Sequence, residues 1–184
     1  MTSRLFLALE IAPAVIKSII DIRDSVYGAA AGVRWEPEDK LHITLKFLGD
    51  TDNSIIATLT ESIAPVIESR SRIELEFLKF GLFYRDKKPS ILWLGTKINV
   101  ALQELFVELD DAVSAFGFKK EEREFKPHLT LLRIKGREDF EKIKELTELP
   151  PVELKFLAEK IILFRSRLLP SGSIYEEVKS FLLK

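Results

Sequence analysis

Apolar residues follow two patterns along this chain, one typical of strands and the other of helices. Segments that alternate apolar with polar residues, or form short β-branched and aromatic runs, predict strands. The predicted strands are residues 4–9, 41–49, 72–80, 90–95, 128–134 and 160–168. The C-terminal segment 173–183 also has a strand pattern, with a helix as the alternative.

Four further segments carry apolar residues on one face at helical spacing. In the first, Val15, Ile19, Ile22 and Val26 share a face, and the glycine-rich segment 28–32 predicts where the helix ends. The other predicted helices are residues 53–69, begun by Asp52 or Asn53, residues 99–117, ended by Gly117, and residues 137–148.

Strands and helices alternate in the same order in both halves of the sequence, which indicates an internal duplication. We therefore expect one two-lobed domain over residues 1–184, with approximate pseudo-repeats at 1–85 and 90–184. The polar segment FYRDKKPS, residues 83–90, is too short to be a flexible linker between them. The two lobes would meet across a cleft with approximate two-fold symmetry.

The composition is that of a folded domain with a large core. Apolar residues make up 46% of the 184 residues and charged residues 31%, and cysteine is absent. Disulfides, thiolate metal sites and a cysteine nucleophile are therefore excluded. A formal net charge of −1 argues against binding long nucleic acid mainly through its phosphates. The apolar run from Leu5 to Leu9 is too short for a signal peptide or a membrane span, so we expect a cytoplasmic location.

Both histidines of the chain occur in the same local sequence. HITL begins at His42 and HLTL begins at His128, and each lies in a predicted strand. Because side chains two residues apart share a strand face, each strand presents an imidazole beside the hydroxyl of Thr44 or Thr130. A single histidine on a strand is more often structural than catalytic. The repeated motif favours a catalytic pair.

Two imidazoles that face one cavity suit the cleavage of a phosphodiester. One neutral ring can take a proton from the attacking oxygen, while the other, protonated beside an anion, gives a proton to the departing oxygen. Hydroxyl groups can stabilise the charge on the remaining oxygens.

The paired motifs and the segments around them resemble the two-histidine phosphoesterase superfamily. Those segments are RLFLAL, RWEPEDKLHITLKFLG, ILWLG, PHLTLLR and LFRSRLLPSGSIYE, and together they resemble the RNA 2′,3′-cyclic phosphodiesterases, also called 2′-5′ RNA ligases. The resemblance implies an α+β fold, duplicated and two-lobed, with antiparallel sheets lining a central cleft and helices outside. It also implies hydrolysis of a terminal 2′,3′-cyclic phosphate of RNA to a 2′-phosphate without a metal or other cofactor.

Roles for individual residues follow from the same resemblance. His42 would be the general acid for the leaving 3′ oxygen and His128 the general base for water, although the pseudo-symmetry allows the roles to be exchanged. Thr44 and Thr130 would hold the phosphate. Arg133 matches a position that contacts phosphate or substrate, yet strict alternation puts it on the strand face away from His128. Either a twist or a bulge of the strand turns it back, or it forms a structural ion pair.

The sequence also allows other interpretations of its aromatic, basic and histidine residues. Phe6 or Tyr175 could stack on a base, and the basic residues of FYRDKKPS and RSR could contact RNA, although most such residues are core or solvated. Metal ligation by the histidines would make activity sensitive to a chelator. A non-catalytic domain that binds RNA ends or nucleotides, and 2′-5′ end joining as the reverse reaction, are the remaining alternatives. No membrane contact and no obligate protein partner are indicated.

Overall fold

The alternating segments form strands and the helical segments form helices, in the predicted order. The computed structural model describes residues 1–28, 32–170 and 172–184, so residues 29–31 of the predicted first helix end lie outside the described residues. Within the described residues the strands are β1 (Thr2–Glu10), β2 (His42–Asp52), β3 (Ile73–Arg85), β4 (Lys88–Thr96), β5 (His128–Arg133), β6 (Leu154–Ala158), β7 (Lys160–Leu169) and β8 (Gly172–Leu182). The α-helices are α1 (Pro13–Tyr27), α2 (Ile56–Glu68), α3 (Val100–Ser114) and α4 (Phe140–Glu148).

All eight described strands belong to one curled antiparallel sheet, in the order β6-β3-β4-β5-β2-β1-β7-β8. The predicted α+β fold is therefore confirmed. We call β5, β4, β3 and β6 the His128 lobe, and β2, β1, β7 and β8 the His42 lobe. The two lobes join through the pairing of Ile43 in β2 with Leu129 in β5, which we call the seam.

The lobes do not follow the two halves of the sequence. Strand β3 comes from the first half but pairs with β4 and β6 in the His128 lobe. Strands β7 and β8 come from the second half but extend the His42 lobe, since β7 pairs with β1. The pseudo-repeats at 1–85 and 90–184 stay a prediction. In both lobes the histidine strand lies at the seam, and the strand that precedes it in the sequence lies next to it.

The helices cover one face of the sheet and leave the other uncovered. Alternation along β1 directs Leu5, Leu7 and Leu9 into a single core cluster that also contains buried residues of all four described α-helices, including Ile19 of α1 and Leu105 of α3. The sheet face away from the helices is called the open face below. Within the described residues, no helix is long and apolar enough to cross a membrane.

Three elements differ from the sequence prediction or complete it. Strand β6 was not predicted, because its five residues are too few to show a clear alternation. The C-terminal segment is a strand, β8. Strand β3 continues to Arg85, so the predicted polar turn is reduced to Asp86 and Lys87. Both residues have positive φ, as a two-residue hairpin turn requires.

Candidate active site

Each histidine begins a strand beside the seam, and a β-bulge follows it at the same distance. In β2, Thr44 lies opposite Ala8 and Lys46 lies opposite Leu7, which leaves Leu45 as the extra residue. In β5, Thr130 lies opposite Trp93 and Leu132 lies opposite Leu92, which leaves Leu131 as the extra residue. A bulge shifts the alternation by one position, so the residues after it exchange faces.

The bulge in β5 puts Arg133 on the open face. Leu129 and Leu132 are both buried in the core, and the next residue, Arg133, therefore shares the face of His128 and Thr130. The structure has the bulge that the sequence offered as one possibility, and it also has the ion pair that was the alternative, between Arg133 and Glu36. Phe47 lies five residues after His42, just as Arg133 lies five residues after His128. It is also on the open face, because it lies opposite Phe6.

The seam brings the four motif side chains together on the open face. Ile43 and Leu129 are directly opposite each other and buried. In an antiparallel pair with this register, residue 42 lies opposite residue 130, and residue 44 opposite residue 128. Each imidazole thus faces the hydroxyl-bearing position of the other lobe as well as the one on its own strand.

A backbone hydrogen bond fixes the orientation of each ring. The Nδ1–H group of His128 donates to the carbonyl of Lys126 at 2.7 Å. His42 makes the equivalent backbone hydrogen bond with Lys40, also two residues before it. Since Nδ1 of His128 carries the proton, Nε2 of that ring is the nitrogen left to take up or release a proton.

Burial keeps both histidines neutral in the free protein. Burial is the main reason why the pKa of His42 is lowered to about 4; the Lys40 hydrogen bond opposes it, and the charges of Arg133 and His128 add to it. Burial also lowers the pKa of His128, and Arg133 adds to that effect. Because the neutral form is favoured by burial and by nearby cations, a bound anion is what would favour protonation.

Aromatic side chains surround the His42 ring. The centroid of its imidazole lies 5.1 Å from the ring of Phe6, 5.6 Å from Tyr175 and 6.0 Å from Phe164. Phe6 is only 3% exposed, so the free surface for stacking that the sequence suggested there is small. Tyr175 is half-buried at an edge of this cluster.

A different pair of aromatic residues packs around His128. Phe83 lies edge-on to the imidazole at 4.9 Å, and Trp93 lies at 6.3 Å. The Trp93 ring lies against two glycines. A Cβ atom on Gly95 would be 2.6 Å from this ring, and one on Gly81 would overlap it more severely. Glycine at both positions thus makes room for an indole beside His128.

An ion pair holds Arg133 on the open face. Its Nε donates to the carboxylate of Glu36 at 3.2 Å, and the Arg133 side chain remains 56% exposed. Glu36 is itself fixed, because its backbone N–H donates to the carbonyl of Leu131. Sequence reasoning missed Glu36, since a charged residue in a segment without regular structure gives no signal of its partner.

A second missed ion pair lies beneath the site, on the helix side. The bulge in β2 turns Lys46 into the core, where its ammonium group pairs with Asp110 of α3. Lys46 also donates to the carbonyl of Lys119, and Asp110 accepts from the backbone N–H of Glu121. These contacts fix the segment that leads to His128.

Two other sequence suggestions fall outside this arrangement. Arg85 and Lys88 flank the β3–β4 turn and are exposed. Arg165 lies opposite the core residue Leu5, so it points away from the open face, and it forms an ion pair with Glu176 at 3.9 Å. Across the described residues, no cluster of three or more His, Cys, Asp or Glu side chains is arranged to hold a metal ion.

Comparison with known proteins gives the same fold and the same family. A family model described as the 2′-5′ RNA ligase superfamily matches residues 12–168. A relative from Methanocaldococcus jannaschii is 35% identical over 97% of this chain and 99% of its own length, and one from Thermotoga maritima is 31% identical over 94% and 91%. Both are named RNA 2′,3′-cyclic phosphodiesterase. The structure of Escherichia coli LigT with 3′-AMP has a TM-score of 0.79 at 23% identity over the whole of this chain and 99% of that one, which shows the shared fold.

The fold and the paired motifs confirm the resemblance to the two-histidine phosphoesterases. Within that class, the chain belongs to the 2′-5′ RNA ligase superfamily, in the family of the RNA 2′,3′-cyclic phosphodiesterases.

Proposed function

We propose that this chain hydrolyses the 2′,3′-cyclic phosphate at the end of an RNA to a 2′-phosphate, using its two histidines and no cofactor. The observation that carries the proposal is the seam, where Ile43 pairs with Leu129 and a His-x-Thr strand from each lobe contributes to one open face. The names of the relatives support the same reaction.

The reaction needs one proton acceptor and one proton donor. His128 Nε2 removes a proton from water, and the water oxygen forms a bond to phosphorus. The bond from phosphorus to the 3′ oxygen breaks, and His42 Nε2 gives that oxygen its proton. The 3′ hydroxyl is restored, the phosphate stays on the 2′ oxygen, and the two rings have exchanged protonation states, which solvent resets. Each proton transfer is expected to contribute about 10²–10⁴-fold in rate.

Three further side chains would stabilise the phosphate. We assign the hydroxyls of Thr44 and Thr130 and the guanidinium of Arg133 to its non-bridging oxygens, where charge accumulates in the transition state. Arg133 supports this assignment by lying on the histidine face and by being held there through Glu36. An anion at this position would also raise the pKa of the histidine that acts as acid.

The exchanged assignment is the second candidate. The pKa of about 4 for His42 in the free protein suits a base better than an acid at neutral pH. If His42 were the base and His128 the acid, the bond to the 2′ oxygen would break instead, and the product would carry a 3′-phosphate. The identity of the product therefore decides between the two assignments.

The experiment uses a dinucleotide with a 2′,3′-cyclic end, in the presence of a chelator, with phosphorus NMR to identify the product. We expect a 2′-phosphate from the unaltered chain, and losses of about 10²–10⁴-fold for His42→Ala and for His128→Ala. Ser18→Ala, on the surface of α1, is the control, and circular dichroism checks the fold of each variant. Saturable binding without any product would favour a binding domain, and activity lost in chelator would favour a metal enzyme.

RNA ends, or nucleotides with a 2′,3′-cyclic phosphate, are thus the proposed partners. End joining is the reverse of the proposed reaction and would be detected in the same assay as a 2′-5′ linkage. The cyclic phosphate and water are the only reactants that the proposal requires. The cytoplasmic location expected from the sequence stays a prediction, to be checked by imaging the tagged protein.

A further inference from the structure

The side chain of Tyr175 leans over the open face towards His42. Tyr175 lies opposite Ser166 in β7, and Ser166 lies opposite Arg4 in β1. Because Arg4 precedes the core residue Leu5, this row of residues is on the open face. Strands β8 and β2 are three strand spacings apart, or about 14 Å across the sheet. The centroids of the phenol ring and the imidazole are nevertheless only 5.6 Å apart. The curled sheet therefore brings both side chains over one concave surface.

Packing fixes the ring of Tyr175 and leaves its hydroxyl without a partner. The ring lies edge-on to Phe6, with 4.9 Å between the centroids, and edge-on to His42. The hydroxyl forms no hydrogen bond with any group that the structure describes, whereas the hydroxyl of Tyr27 accepts from the backbone N–H of Asp139. Because a phenolic O–H can donate, a free hydroxyl on a fixed ring is available to a substrate.

The charges around this hydroxyl belong to the proposed site. Burial is the main effect on the pKa of Tyr175 and raises it, and the negative charge of Glu36 adds to the rise. The positive charges of Arg133 and Arg4 oppose both effects. The hydroxyl therefore keeps its proton at neutral pH. Since the charge of Arg133 also lowers the pKa of both histidines, the phenol and the two imidazoles lie within range of one guanidinium.

We propose that the hydroxyl of Tyr175 donates a hydrogen bond to a non-bridging oxygen of the phosphate between the histidines, as a further catalytic residue. The proposal rests on the proposed function, which supplies the phosphate. Negative charge accumulates on the non-bridging oxygens in the transition state, so the hydrogen bond is strongest there. Arg133 then contacts the phosphate from the His128 lobe, and Tyr175 contacts it from the His42 lobe.

The test separates the hydroxyl of Tyr175 from its ring. Tyr175→Phe keeps the packing against His42 and removes only the hydroxyl. We expect kcat/KM for a mononucleoside 2′,3′-cyclic phosphate to fall about 10–100-fold, because a hydrogen bond to a charged group is lost. Tyr84→Phe is the matched control and should retain full activity. Tyr84 is exposed near the β3–β4 turn and packs against no aromatic ring that the structure describes.

Cyclic phosphorothioates identify the atom that the hydroxyl contacts. The two diastereomers carry sulfur in place of one or the other non-bridging oxygen, and sulfur is a weak acceptor. In one diastereomer the hydrogen bond from Tyr175 is already weakened, so Tyr175→Phe should slow its hydrolysis less than that of the other, by about tenfold. Equal losses for both diastereomers would overturn the proposal, since packing against His42 does not distinguish the two oxygens.

Absence of this contact and failure of the proposed function have different signatures. Full activity of Tyr175→Phe would overturn the proposal and leave the proposed function intact. If the unaltered chain hydrolysed no cyclic phosphate, the proposed function would be wrong, and calorimetry with inorganic phosphate would still test the contact. Weaker binding of phosphate by Tyr175→Phe than by Tyr84→Phe would support the contact, and equal affinities would overturn it.

Discussion

At the scale of single residues, the two histidines have the same backbone setting and different neighbours. Each begins a strand and has a hydrogen bond with the backbone of the residue two positions before it. The pKa of both rings is lowered by burial and by the charge of Arg133. Arg133 belongs to the His128 lobe, and the equivalent position in the His42 lobe is occupied by Phe47. The backbone setting of the two histidines is thus symmetric, whereas the positive charge of Arg133 belongs to one lobe only.

The charge of Arg133 predicts a shift in the pH dependence of activity. The guanidinium lowers the pKa of both imidazoles, so its removal raises them. The base is active when neutral, and the acidic limb of kcat/KM therefore moves to higher pH in Arg133→Gln. The limb should stay close to its original pH in Arg133→Lys, which keeps the charge, even though both variants are slower. Profiles of kcat/KM measured on a cyclic mononucleotide check this, and a shift to lower pH would contradict it.

The threonine hydroxyls predict a separate effect on rate. If Thr44 and Thr130 donate to the phosphate, Thr44→Val and Thr130→Val each lose a hydrogen bond to a charged group, which corresponds to about 10–100-fold in kcat/KM. Thr44→Ser and Thr130→Ser keep the hydroxyl and should retain most activity. Steady-state kinetics on a cyclic-ended dinucleotide distinguish the two pairs of variants. Equal losses for valine and serine would instead indicate a packing role.

Alternation along a strand was enough to predict which motif residues share a face, since His42 and Thr44, and likewise His128 and Thr130, precede the bulges. It could not settle the face of Arg133. The bulge at Leu131 depends on pairing with β4, and pairing is a property of the folded sheet. Both extra residues, Leu45 and Leu131, are leucines in the same motif position, but an aliphatic residue there gives no signal of a bulge.

At the scale of elements, a β-bulge also explains why a lysine occurs in the middle of a buried strand. Lys46 follows the bulge in β2, is only 7% exposed, and pairs with Asp110 of α3. Strict alternation would have put it on the open face with His42 and Thr44. The position of Lys46 relative to α3, and its contact with Lys119, required the tertiary structure.

This buried ion pair predicts a non-additive effect on stability. Lys46→Met leaves the Asp110 carboxylate buried without its partner and should lower the free energy of unfolding by about 3–5 kcal/mol. The double variant Lys46→Met/Asp110→Leu removes both charges and should be less destabilised than the single one. Urea denaturation measures both. A double variant at least as unstable as the sum of the two single variants would show that the pair contributes nothing beyond packing.

Prediction of the elements succeeded where the pattern was long and failed where it was short. Asp52, one of the two predicted caps, begins the 3₁₀ turn Asn53–Ile55 that leads into α2, and its side chain accepts from the backbone N–H of Ser54. Strand β6 has five residues and pairs with β3 only, and nothing in its own sequence distinguishes it from a loop. For β8 the sequence allowed strand or helix, and pairing with β7 along its length decides for strand.

At the scale of the whole molecule, each lobe contains strands from both halves of the sequence. This arrangement determines which fragments of the chain can fold alone. A fragment that ends at Asp86 would contain β3 without β4 and β6, and β1 without β7. The core also continues beneath both lobes as one cluster. Each fragment would therefore expose a large part of the apolar surface that the intact chain buries.

Cutting the chain in the β3–β4 turn predicts loss of folding that mixing restores. The turn at Asp86 and Lys87 is exposed and contributes no residue to the core, so a break there costs only the connection. Fragments 1–86 and 87–184 should each lack cooperative unfolding, and co-expression should recover a complex that hydrolyses the cyclic phosphate. Circular dichroism melts and the dinucleotide assay measure the two effects, with the intact chain as reference. A stable, cooperatively folded fragment 1–86 would contradict the prediction, because it would show that the first half of the sequence folds without the strands it receives from the second.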